Sequence, residues 1–380
     1  MTKHLALLAL AAAALSACEE NRGITNPAAM AVEASRQAQR AEDRDGRTGP
    51  RAVYTLTNQV AGNSVAVFAR AADGTLSAAG SVATGGTGTG AGLGSQGALA
   101  LSDDGRWLFA VNAGSNDVSV FRVGRDGLSL LDRTSSGGTR PISLTAHGHV
   151  LYVLNAGGDG NISGFALGTT GALTPISGST RSLSGTNVGP AQVSFSPDGR
   201  RLVVTEKTTN LLDVYTVDGN GAASGPASVA SAGTTPFGFA FGRHDDVFVS
   251  EAVGSASSYE LGRTGSLTVV SGAVLTHQGA PCWLVVTDNG RYAYTANAQG
   301  GSISGFGIAR DGSISLLDAS GATADVGRGA TDLALSGNSR YLYNLVGGSV
   351  LAFRVQEDGH LALLGTVGGL PAGTVGLAAQ

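Results

Sequence analysis

From Val53 onward the chain alternates apolar and polar residues in short runs, each broken by a turn that usually contains glycine. The clearest copy runs from Val193 to Glu206. An alternating strand meets the turn Ser196-Pro197-Asp198-Gly199, and a second strand ends on the polar Glu206. A third strand, Leu212 to Val217, leads to an Asn220-Gly221 turn and a weaker outer strand. An X-Gly pair between alternating runs predicts a hairpin, because glycine adopts positive φ without a steric penalty.

This unit recurs. The polar residue closing the second strand is Asn58, Asn112, Asn155, Glu206, Glu251, Asn297 and Asn344. The turn after the third strand keeps step at Gly74, Gly127, Gly171, Gly221, Gly265, Gly312 and Gly359. Helical periodicity is absent, and 59 glycines suit many tight turns. Seven units of four short strands predict an all-β fold, a seven-bladed β-propeller with four-stranded antiparallel blades over residues 52–380. A β-sandwich has no reason to repeat so regularly. The first unit opens on its second strand, whereas residues 374–380 resemble an innermost strand with nothing after it. The C-terminal strand is therefore expected to complete the first blade and close the ring without leaving a long free edge.

The N-terminus has a different character. Lys3 and His4 precede an apolar run from Leu5 to Ala14, and small residues lead to Cys18. That is the layout of a signal peptide over residues 1–17, too short to span a bilayer. Leu15-Ser16-Ala17-Cys18 resembles a bacterial lipobox, which implies lipidation of Cys18 and an anchor in the cell envelope, periplasmic or at the cell surface. Residues 18–51 are rich in Ala, Arg, Glu and Asp without an apolar stripe, and read as a disordered tether. Removing residues 1–17 takes away Lys3 and moves the net charge from −4 to −5. A mildly acidic chain without a basic cluster excludes nucleic acid as a partner. The expected partner is a small molecule, the expected membrane contact is the lipid anchor alone, and the expected state is a monomer.

Topology sorts the candidate chemistry. With strands counted outward from the axis, the Asp-Gly turns lie on one face, with His147, His149, His244 and His360. The second-to-third turns and the connections between blades lie on the other. That second face carries the polar ring, in which Glu206 and Glu251 replace asparagine on adjacent blades. Two carboxylates facing one channel would raise each other's pKa and suit general acid–base work. The alternative is that these residues brace the following turn. Lys207, the only lysine after the signal segment, and Arg140 are cations that could hold an anionic substrate or an oxyanion. Asn155, Asn297, His277 and Trp283 complete the candidate substrate-binding set, with Glu206 and Glu251 as the catalytic pair. Cys282 reads as a small core residue, or alternatively as a nucleophile. The run from Gly85 to Gly97 has no following helix and reads as a flexible connection, not a phosphate cradle. No motif for a metal or cofactor is present.

The repeats from Leu101 to Asn112 and from Ser196 to Thr205 resemble the lactonase-type seven-bladed propellers, a family that includes 6-phosphogluconolactonases and fungal carboxymuconate cyclases. The resemblance covers residues 52–380. Segments 205–207, 236–241, 250–252 and 281–283 look like a secreted branch of that family. The resemblance implies lactone hydrolysis in the central channel, with Glu206 or Glu251 in the glutamate role. Cytoplasmic members act on a phosphorylated lactone, which is scarce outside the cytoplasm, and no residue here matches the cyclases' histidine. A non-catalytic binding propeller and a calcium-dependent lactonase with Asn and Glu ligands at the axis are the competing readings.

Overall fold

A computed structural model describes residues 51–380. The signal peptide, Cys18 and all of the tether but Arg51 lie outside that range. Seven antiparallel sheets surround one axis, and six of them run from an inner strand outward in chain order. Blade four is representative: Pro190–Phe195, Arg201–Glu206, Leu211–Val217 and Ala223–Ala230. Blades three and six have their outer strand split into two short pieces, Leu173–Pro175 with Arg181–Ser182 and Ile314–Leu316 with Ala324–Asp325. The second strands are buried along nearly their whole length, as a strand packed on both faces by neighbouring blades must be.

Ring closure follows the sequence expectation. The C-terminal strand Val375–Ala379 pairs antiparallel with Ala52–Leu56 and becomes the inner strand of blade one. The Thr55 hydroxyl ties the seam further by donating to the Gly376 carbonyl at 2.6 Å. Elsewhere, buried tyrosines join neighbouring blades at the Asp-Gly face. Tyr152 of blade three donates to the Gly221 carbonyl of blade four at 2.7 Å, and Tyr294 of blade six to Gly359 of blade seven at 2.7 Å. At Gly359 the φ is +88°, and an added Cβ would meet the Tyr292 ring 2.6 Å away, so this turn requires glycine twice over.

Candidate functional site

The polar ring is present, but its side chains do not open into the channel. Asn155, Glu206, Glu251 and Asn297 are fully buried, each turned within its blade toward the loops at the strand end. Asn155 donates to the Ser136 carbonyl at 3.1 Å, and Asn344 to the Thr331 carbonyl at 2.9 Å. Asn297 donates to the Ser302 and Ser304 hydroxyls at 2.9 and 2.8 Å. Glu206 accepts from the Ser184 amide and hydroxyl at 3.0 and 2.5 Å and from the Thr209 hydroxyl at 2.6 Å. Glu251 accepts from the Gly233 amide at 2.7 Å and from the hydroxyls of Ser231, Ser255 and Ser257.

This corrects the expectation of a catalytic glutamate pair in the channel. Both carboxylates are saturated by donors and shut away from any substrate. The pattern also explains the exchange of residue type. Where the adjacent backbone presents carbonyls, as at Ser136 and at Thr331 of the blade-seven inner strand, an asparagine amide donates to them. Where the incoming loop presents N–H and O–H groups, as at Ser184 and Gly233, an acceptor-only carboxylate fits. Glu206 does have a carboxyl neighbour, though not Glu251. It is Asp213, fully buried on the third strand of the same blade, whose pKa is raised by burial and then by Glu206.

The centre of the second face is instead occupied by the glycine-rich connection between blades one and two. It was expected to be flexible, and here the correction is complete: its inner half crosses the axis and is bonded to three blades. The Ser95 hydroxyl donates to the Ile142 carbonyl of blade three at 2.8 Å. The Gln96 amide donates to the Ala191 carbonyl of blade four at 3.1 Å. On blade six, the Trp283 indole donates to the Ser95 carbonyl at 3.0 Å, and the Gln96 side chain pairs with both backbone groups of Leu284 at 2.8 Å. Trp283 is therefore an anchor for this crossing segment.

Beside the segment lies a cavity of about 250 Å³, walled by blades three and four. Its apolar floor includes Leu93, Ile142, Leu183 and Val188, and its polar groups are Arg140, Asp159, Asn187 and Lys207. Two blades thus bring together the two cations singled out in the sequence. Arg140 is exposed in the connection before Pro141 with φ +56°, and the Asn116 side chain accepts from its amide at 2.7 Å. Lys207 directly follows the second strand of blade four. Its ammonium donates to the Gly94 carbonyl at 2.5 Å and the Pro190 carbonyl at 3.1 Å, and lies 5.0 Å from the centre of the Phe237 ring. An ammonium has three N–H donors, so one is left for a ligand. Burial lowers the Lys207 pKa to about 8; Cys282 opposes the shift and Arg140 adds to it.

The remaining candidates lie elsewhere. His277 is exposed on the connection into blade six at φ +56° and is not among the cavity-lining residues. Cys282 is buried, and burial pushes its thiol up to about 12, which fits a core residue and not a nucleophile. Asp159 and Asn187 were missed by the sequence reading. The signal for Asp159 was its setting, the turn Gly157-Gly158-Asp159-Gly160, too loose to serve hairpin geometry alone. Among the described residues no three His, Cys, Asp or Glu side chains come together as metal ligands.

The sequence profile of the family described as lactonase, seven-bladed β-propeller, matches residues 51–188 and 247–329, more than half of the chain. The chain belongs to this family. The fold agrees with solved structures at low identity. A Bacteroides fragilis protein assigned as a 6-phosphogluconolactonase superposes with a TM-score of 0.70 at 18% identity, over 86% of this chain and 97% of that one. A periplasmic gluconolactonase of Pseudomonas aeruginosa gives 0.65 at 18% identity, over 85% and 98%. A Sulfolobus tokodaii protein described as a hypothetical selenium-binding protein gives 0.63 at 12% identity, over 87% and 94%. No curated protein matches the sequence. This lactonase-family propeller thus shares its architecture with proteins of several described roles, and its own function rests on its site.

Proposed function

We propose that this lactonase-family propeller hydrolyses a small lactone in the cavity between blades three and four. The observation that carries the reading is the Lys207 ammonium, fixed by two backbone carbonyls with its third donor free beside Arg140. A cation held in this way stabilises the negative charge that builds on a lactone carbonyl oxygen during attack, and it needs no reorganisation to do so. Asp159, exposed on the opposite wall, takes the proton from the attacking water. The tetrahedral intermediate then expels the ring oxygen, which is reprotonated as the hydroxyl of the open acid. The mixed lining, Arg140 and Asp159 from blade three with Asn187 and Lys207 from the blade-four side, suits a hydroxylated substrate. Membership of the lactonase family and the structural likeness to a periplasmic gluconolactonase support the assignment.

The test is a panel of sugar-acid and simple lactones, assayed by acid release with the wild type and with Lys207→Met and Asp159→Asn. Turnover lost in both variants while melting is unchanged supports the reading. Turnover retained in both refutes it, and binding without turnover by the wild type assigns the cavity to a non-catalytic ligand-binding propeller. The lipobox-like segment Leu15-Ser16-Ala17-Cys18 supports an envelope location on a lipid anchor. Cys18→Ser is expected to move the protein out of the membrane fraction, and unchanged membrane retention contradicts the anchor.

A further inference from the structure

The crossing segment divides the central channel, so the Asp-Gly face has a mouth of its own. There the inner strands of blades four to seven form a cavity of about 380 Å³. Its walls are mainly apolar, with Pro197, Phe241, Val286 and Leu335, and carry the Ser194 hydroxyl. Its floor is made by Gln96 and Gln192, whose amides are already used. Gln96 pairs with the Leu284 backbone, and Gln192 pairs with the Phe239 backbone at 2.7 and 3.0 Å. An occupant therefore finds mainly hydrocarbon on the walls, with the Ser194 hydroxyl among it, and glutamine amides at the bottom that are already paired.

A second cavity, about 410 Å³, adjoins this one across a single hairpin turn. Along that turn Pro197 lies at the mouth and Phe195 turns its ring onto Tyr152 and His147 of blade three, whereas Ser196 and Asp198 line the neighbouring cleft. The cleft holds three guanidinium groups, Arg200, Arg201 and Arg263, against two carboxylates, Asp198 and Asp245. Arg201 is pinned by donating to the carbonyls of Arg200 and Arg263, and its buried Nε has no partner. Arg200 and Arg263 are exposed. Asp198 is committed to the Ser196 hydroxyl and the Arg200 amide at 2.6 and 3.0 Å. Arg291, Arg340 and Arg354 line the equivalent cleft between blades six and seven, so an apolar well with arginines at its rim is complementary to a molecule with a hydrocarbon chain and an anionic end.

We propose that this mouth binds an anionic amphiphile of the fatty-acid class, with its chain in the well and its carboxylate on Arg200 and Arg263. The site is separate from the proposed lactone cavity and does not depend on it. Calorimetric titration of the purified protein with a chain-length series of saturated fatty acids, and with the matching alcohols, tests it. Affinity is expected to rise about fourfold per methylene, the factor equivalent to burying one CH₂, until the well is full. The acid is expected to bind about tenfold more tightly than its alcohol. Ala240→Trp, which fills the well from blade five, should abolish binding while leaving lactone turnover on the opposite face unchanged. Arg200→Ala with Arg263→Ala changes only exposed side chains and should erase the preference for acid over alcohol. Affinity that ignores chain length, or an acid preference that survives the arginine changes, overturns the proposal, whether or not Ala240→Trp folds.

Discussion

Trp283 of blade six and Ser95, which leads into blade two, are joined across the axis by a 3.0 Å hydrogen bond from the indole to the carbonyl. The same indole packs on Phe237 of blade five, with ring centres 5.0 Å apart. Trp283→Phe keeps the ring contact and loses the bond. It is expected to lower stability by about 1 kcal/mol and to expose the glycines at 92 and 94 to protease. Thermal melting and limited proteolysis check this. A variant that melts normally and resists cleavage shows that the indole does not hold the segment.

Lys207 gives the proposed reaction a pH signature. With a pKa lowered to about 8, the ammonium is charged below that value and neutral above it. Turnover should therefore fall as pH rises through about 8, and Lys207→Arg should carry activity to higher pH. Lys207→Met is expected to reduce kcat by about 100-fold, the loss that accompanies removal of one oxyanion donor. A pH profile that stays flat to pH 10 refutes the role given to Lys207.

Glu206 and Glu251 are expected to matter for stability and not for chemistry. Glu206→Gln or Glu251→Gln turns an amide donor toward groups that are themselves donors. Each change should cost about 2 kcal/mol, the scale of hydrogen bonds to a charged group. Turnover per folded molecule should persist. A variant with normal melting and no turnover returns the glutamate to the active site.

Asp332 makes stability depend on pH at the ring seam. Its side chain, on the inner strand of blade seven, accepts from the Gly376 amide of the closing strand at 3.0 Å. Burial raises its pKa from 3.8 to about 7. The folded protein thus holds a proton that the unfolded chain has released, and stability must fall as pH rises between about 4 and 7. Asp332→Asn should reduce that slope, leaving the part due to Asp213, and raise the melting temperature at pH 8. Equal slopes in wild type and variant would show that Asp332 does not govern it.

The seam itself is the subject of the last prediction. Deleting residues 374–380 removes the strand Val375–Ala379 and the Asp332 and Thr55 contacts with it. The melting temperature should drop by well over 10 °C, and an unchanged melt refutes closure by this strand.

Local pattern made the blades legible, because strand alternation and X-Gly turns are written in adjacent residues. The same pattern located the polar ring, although blade seven departs from it: its second strand runs on to Val346, leaving Asn344 two residues inside. What local pattern lacks is the direction of a side chain at a strand end. Glu206 reads equally well as a channel carboxylate or as a brace, and only the donors of Ser184 and Thr209 decide. The crossing segment was illegible for a related reason. Its glycines look like slack, yet its bonds reach Ile142, Ala191, Trp283 and Leu284, partners 47 to 188 residues away. Lys207 and Arg140 could be named from their rarity and place on one face. Asp159 was passed over although it shares blade three with Arg140, because only the approach of blade four sets Lys207 across from it.

A wheel closed only at its rim fails at the rim's weakest joint, and here that joint is the non-covalent pairing in blade one. The segment through Ser95 and Gln96 acts as a spoke that ties the lead-in of blade two to blades three, four and six at the hub. Release of the C-terminal strand should therefore free blade one and its neighbour, while blades two to six stay gathered as an arc. Opening of this ring is then a local event with its own free energy, smaller than that of global unfolding. Amide exchange should register it as early loss of protection in Ala52–Leu56 and Val375–Ala379, with the hub still closed.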